Sequence, residues 1–130
     1  MKPQTGAFLE KAGDLLDQTA TMLSVGLTDA AGRTAYLAGL HAAQALIFER
    51  TGRIIKRHRG VRNEQWRLTK NDPRFDIQLQ AFLGRAYNLK EIADYETGPG
   101  SGVSDELARS TVATARRFVD LITELLNEVP

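Results

Sequence analysis

Apolar residues recur at helical intervals along nearly the whole chain. In residues 5–24, Phe8, Leu9, Ala12, Leu15, Leu16, Ala20 and Leu23 repeat with a period near 3.6, while Glu10, Lys11, Asp14 and Gln18 face away. This predicts an amphipathic helix closed by Gly26. A second helix is predicted from Thr28 or Asp29, both good N-cap residues, to Thr51, with Gly52 stopping it. Between Ala35 and Phe48 it is apolar on most sides, interrupted by Gly39, His41 and Gln44. Such a helix belongs in the buried centre of a bundle, and Ala42, Ala43 and Ala45 let neighbouring backbones approach closely.

Residues 52–60 read as a loop and residues 61–69 as a short helix containing Trp66. Asn71-Asp72-Pro73 predicts a restart, with Asp72 as N-cap and Pro73 at the first helical position of a helix reaching Asp94. Its core stripe is Phe75, Leu79, Phe82, Leu83, Ala86, Leu89 and Ala93. The tip ETGPGSG precedes a final helix capped by Ser104, whose buried face is Ala108, Val112, Ala115, Phe118, Val119, Ile122, Leu125, Leu126 and Val129. No segment alternates with period two over strand length. The expected fold is all-α: a single domain over residues 1–130, built as an up-and-down antiparallel bundle of four long helices plus one short helix.

Composition narrows the function classes. No run nears the roughly 18 apolar residues of a membrane span. The opening MKPQTGAFLEKAGDLL is amphipathic and acidic, so a signal peptide is not expected. There are no cysteines, which excludes disulfides and thiolate zinc sites and fits a reducing cytoplasm. With only His41 and His58 as imidazoles, neither a metal cage nor a cofactor is expected. The net charge of +1 hides an asymmetry. Arg50, Arg53, Lys56, Arg57, Arg59, Arg62, Arg67, Lys70 and Arg74 face only Glu64 and Asp72, so this stretch carries +7 and the remainder −6. That region can attract a polyanion.

Three stretches resemble the HEPN superfamily, in particular its small stand-alone branch with an A-D-Y signature. They are GRTAYLAGLHAAQALIFERTG (residues 32–52), the HRGV turn (residues 58–61) and LKEIADY (residues 89–95). The resemblance implies a dimerising helical bundle. It also implies an RNA-directed activity, in catalytic members a metal-independent endoribonuclease with an Arg-x(4–6)-His signature near the last long helix. Many such members are toxins paired with a nucleotidyltransferase antitoxin. At the matching position this chain has Lys90 for the arginine and Tyr95 for the histidine, with Asp94 between them.

RNA cleavage without a metal needs a base for the 2′-OH proton, an acid for the leaving oxygen and a cation for the phosphorane. Lys90 supplies a point charge rather than arginine's planar fork. Tyr95, with an ordinary pKa of about 10, is a poor base at neutral pH. Alternatively the pair is a surface lysine and a bundle-end tyrosine. Arg53 to His58 also spells Arg-x4-His, but between the second and third helices. His58 is expected to be held neutral by Lys56, Arg57 and Arg59 and to touch RNA or a nucleotide phosphate, or else to be a solvated loop residue. His41 reads as a structural, hydrogen-bonded histidine. Arg85 either lines a groove or is solvated. Arg53, Lys56, Arg57, Arg59 and Arg62 with Trp66 match phosphate neutralisation plus a stacking ring, against the plainer reading of Trp66 as a core plug. The competing function class is a non-catalytic dimer that binds a nucleotide, RNA or an acidic protein.

Overall fold

In the computed structural model, which describes residues 1–128, the periodic segments form α1 (Pro3–Ser24), α2 (Thr28–Thr51), α3 (His58–Thr69), α4 (Ile77–Tyr95) and α5 (Asp105–Asn127). No strand occurs among the described residues. The alanine-rich α2 packs against all four other helices. Its residues Ala31, Ala35, Ala38, Ala42, Ala43 and Ala45 are each fully buried. Small side chains there bring backbones close enough for the large ones of α4 and α5 to fill the centre, where Phe82 stacks obliquely on Phe118 at 5.1 Å. The closest approach is at Gly39, where a Cβ would lie 2.2 Å from the Phe82 ring.

The ends of the helices follow local chemistry. Gly52 takes the left-handed conformation at φ 73° and its N–H closes α2 on the Phe48 carbonyl at 2.8 Å. Ser104 caps α5 by accepting from the Leu107 N–H at 3.1 Å. Asp29 does not cap α2: its carboxylate reaches across the bundle to the Val103 N–H at 2.7 Å and fastens the segment before α5. Nor does Asp72 begin α4. Asp72 turns instead to Arg74, at 2.8 Å. The chain bends until Phe75 is buried, and Asp76 caps α4 by accepting from the Leu79 N–H at 2.9 Å. Burial of Phe75 outweighed the proline signal.

On α1 the buried line is Thr5, Ala12, Leu16 and Thr19, and Ala20 is exposed. The stripe ends at Thr19 rather than Ala20, and the Thr19 hydroxyl returns to the Leu16 carbonyl and so tolerates burial. Most of the apolar stripe expected on α4 and α5 is buried, with Ala93 and Leu126 partly so; Val129 lies outside the described residues.

Gly39→Ala is expected to lower stability by about 1–3 kcal/mol, because the added methyl must displace Phe82 in a packed core. A lower urea midpoint at unchanged slope confirms this; an unchanged or higher midpoint contradicts the close approach of α2 and α4.

Candidate functional site

α3 begins three residues earlier than its apolar pattern suggests, and this places His58 in its first turn. Two anchors fix that start. Gln44 on α2 donates to the Ile55 carbonyl at 2.9 Å while its oxygen meets His41 Nδ1 at 2.8 Å, so His41 serves the backbone of the incoming segment. The Ile55 methyl then packs on Gly60, where a Cβ would sit 2.8 Å from it, and Val61 is fully buried. Farther along α3, Gln65 and Thr69, each 1% exposed, interlock with Gln80 of α4 through hydrogen bonds of 3.0–3.1 Å. This polar triangle holds α3 beside α4.

His58 therefore lies where α2, α3 and α4 meet. Its Nδ1 is 2.9 Å from the hydroxyl of Tyr36, a residue only 3% exposed, and its ring stacks on Tyr87 of α4 at 4.0 Å. Tyr36 meets Tyr87 edge-on at 5.6 Å. Burial, then the nearby Tyr87 and Glu91, push the Tyr36 hydroxyl up to about 12, so it stays a neutral phenol. A phenol both donates and accepts. It can donate to Nδ1, or accept from an Nδ1–H and leave Nε2 with a free lone pair. Burial and then the Arg62 charge hold the His58 pKa below its ordinary value. The direction is the one expected from sequence, but the causes differ: burial comes first, and the charge that acts is Arg62 rather than Lys56, Arg57 or Arg59.

His58 and Tyr87 line an open groove of about 690 Å³ between α3 and α4, together with Arg59, Arg62, Asn63 and Arg85. The Arg62 guanidinium lies flat over Gly84, where a Cβ would be 3.0 Å from its Cζ. Past Tyr87, Lys90 Nζ is 5.9 Å from that ring and 5.9 Å from the ring of Tyr95. Lys90 donates to Asp94 at 2.9 Å, and Arg33 of α2 reaches the other Asp94 oxygen at 3.2 Å. The hydrogen bond with Asp94 raises the Lys90 pKa, and the same contact holds the Asp94 carboxyl below the usual range. Lys90 is a fixed cation, not a proton donor at neutral pH. Tyr95 is 71% exposed at the end of α4.

Tyr87 thus joins two groups that are distant in sequence, His58 and the Lys90–Asp94 pair. Tyr87 shares a helical face with Lys90, Glu91 and Asp94 at spacings of three and four, a signal present in the sequence. Tyr36 carried a weaker one, a lone phenol in an alanine-rich helix that needs a partner. Arg53 leaves its Arg-x4-His pattern, pairing with Glu64 at 3.9 Å. Lys56 and Arg57 are exposed outside the groove. Trp66 is 53% exposed and is not a core plug.

By proton NMR, the His58 ring is expected to titrate below about 6.5. Arg62→Gln raises the midpoint without restoring it fully, because burial is the larger cause. A midpoint at or above 6.5 in the wild-type protein contradicts the enclosure. The sign for stability follows: His58 contributes stability above its unfolded pKa, and this is lost as pH falls through the folded one.

A family model described as HEPN domain matches residues 5–126. The UPF0332 protein of Archaeoglobus fulgidus is 31% identical over 120 residues, which span 92% of this chain and 93% of that protein. With a five-helix bundle and both comparisons in agreement, the chain belongs to the HEPN domain family.

Proposed function

We propose that the chain is an RNA-directed HEPN protein whose groove cleaves phosphodiester bonds without a metal, His58 moving the proton. The observation that carries this reading is an imidazole, oriented by a buried tyrosine, in the wall of a groove with three arginines. His58 Nε2 takes the 2′-OH proton while Tyr36 accepts from Nδ1–H. The 2′-oxygen bonds to phosphorus, the bond from phosphorus to the 5′-oxygen breaks, and the leaving oxygen is protonated from solvent. Arg59 and Arg62 neutralise the charge that grows on the phosphorane. Lys90, held by Asp94, adds a fixed positive charge, and Tyr95 shields it from one side. Arg85 completes the cationic wall.

Family membership supports a toxin-like role for such a protein. The cytoplasm, a homodimer and a nucleotidyltransferase-type antitoxin as partner are the setting that fits it. A second reading, the non-catalytic dimer that binds a nucleotide, RNA or protein, is favoured by one observation: Lys90, at the position of the family's catalytic arginine, is tied to Asp94.

Cleavage of end-labelled transfer and messenger RNA in excess EDTA separates the two. His58→Ala is expected to lose about 10²- to 10⁴-fold, the usual worth of a general base. Lys90→Ala loses less, and Tyr95→Phe stays near wild type. Wild-type protein that binds RNA and leaves it uncut would establish the non-catalytic reading. Loss concentrated in Tyr95→Phe would move the chemistry to the end of α4.

A further inference from the structure

The groove does not end at His58. Arg59, Arg62, Trp66 and Lys70 follow one another at intervals of three and four residues along α3 and its C-cap, Asn63 lies beside Arg62, and all five are exposed. Arg62 and Asn63 line both the His58 groove and a second hollow of about 590 Å³ that contains Trp66 and Gln80. The two hollows therefore adjoin at Arg62 and Asn63, and the Arg62 guanidinium is seated on Gly84 of the first.

Charge partition along the basic stretch leaves cations free on this line. Of its nine cations, Arg53 and Arg67 are drawn to Glu64, and Arg74 to Asp72, Glu124 and Glu128. Arg59, Arg62 and Lys70, on the exposed line, have no carboxylate within 4 Å among the described residues. Trp66 stands in the same line with half of its surface open and the Lys70 ammonium 5.2 Å from its ring. The indole thus offers open ring surface beside cations that lack a carboxylate partner. It fits a ligand that carries both a phosphate and a flat ring.

We infer that the α3 face from His58 to Trp66 is a binding track for single-stranded RNA, with one base stacked on Trp66 and the flanking phosphates on Arg59, Arg62 and Lys70. Eight helical residues separate His58 from Trp66, about 12 Å along the axis. The stacked base therefore belongs to a nucleotide beyond the one at His58, and Trp66 is a specificity residue rather than a catalytic one. The strand must be single because a paired base presents no free face to the indole. A duplex would reach the arginines through its phosphates and leave Trp66 untouched. The base takes the ring face that Lys70 leaves open, or it displaces that ammonium toward its own phosphate. The inference rests on the RNA-directed reading above but not on cleavage.

Trp66 is the sole tryptophan, so its fluorescence reports on this site alone. The experiment titrates the 130-residue chain with a 2′-O-methyl oligouridine, which cannot be cleaved, beside a duplex of equal length and polyglutamate. Quenching by the single strand and little by the other two is expected. Trp66→Ala should weaken single-strand affinity, read by anisotropy of a labelled oligonucleotide, about 5- to 150-fold, while Trp66→Phe retains most of it. The logarithm of the binding constant should fall against that of salt with a slope of about −2, as three phosphates at −0.7 each require. Equal quenching by duplex or polyglutamate, or unchanged affinity in Trp66→Ala, overturns the inference. Quenching by the single strand with uncut ordinary RNA sustains the track and overturns the nuclease reading instead.

Discussion

The contact between the buried hydroxyl of Tyr36 and Nδ1 of His58 organises this end of the molecule. It joins α2, the helix that touches all others, to the first turn of α3. The stack of His58 on Tyr87 extends that junction to α4. The groove exists because α3 is held at three places: by Gln44 at its approach, by His58 at its start and by the Gln65–Thr69–Gln80 triangle at its far end. Its position then decides which cations line the groove. Arg59 and Arg62 do, whereas Lys56 and Arg57, a few residues earlier, do not.

The same placement sets the electrostatics. A histidine in a solvated basic loop would lose part of its proton affinity to screened charges. A histidine between two tyrosine rings loses it chiefly to desolvation, which salt does not screen. Tyr36 remains protonated for the same reason, since burial disfavours the phenolate. Enclosure therefore produces a neutral imidazole with one nitrogen occupied by a neutral phenol. Lys90 is treated oppositely: Asp94 keeps it charged and in place. An imidazole and a fixed positive charge therefore stand on either side of Tyr87.

Helices with wide apolar stripes and unambiguous caps were legible from sequence. α5 has Ser104 before a nine-position stripe, and α2 has Gly52 after an alanine-rich run; both bounds hold within a residue. α4 was misread at its start because Pro73 is a local signal, while the burial of Phe75 and the cap at Asp76 depend on the rest of the bundle. The site was legible in part. His58 and the basic run stood out by composition, and LKEIADY through its family likeness. That these lie side by side depends on α3 docking against α4, which is fixed by Gln65, Thr69 and Gln80, polar residues without a periodic signature. Tyr36 and Tyr87 went unread because a helical wheel shows which face a residue occupies, not which ring it meets.

The most direct measurement is the pH dependence of single-turnover RNA cleavage in excess EDTA from pH 5 to 9. An enclosed neutral imidazole acting as base predicts a rate that rises through one midpoint below about 6.5 and then stays level. A rate that keeps climbing to pH 9, or a midpoint at or above 6.5, would contradict it and transfer the base role to a phenol or to hydroxide.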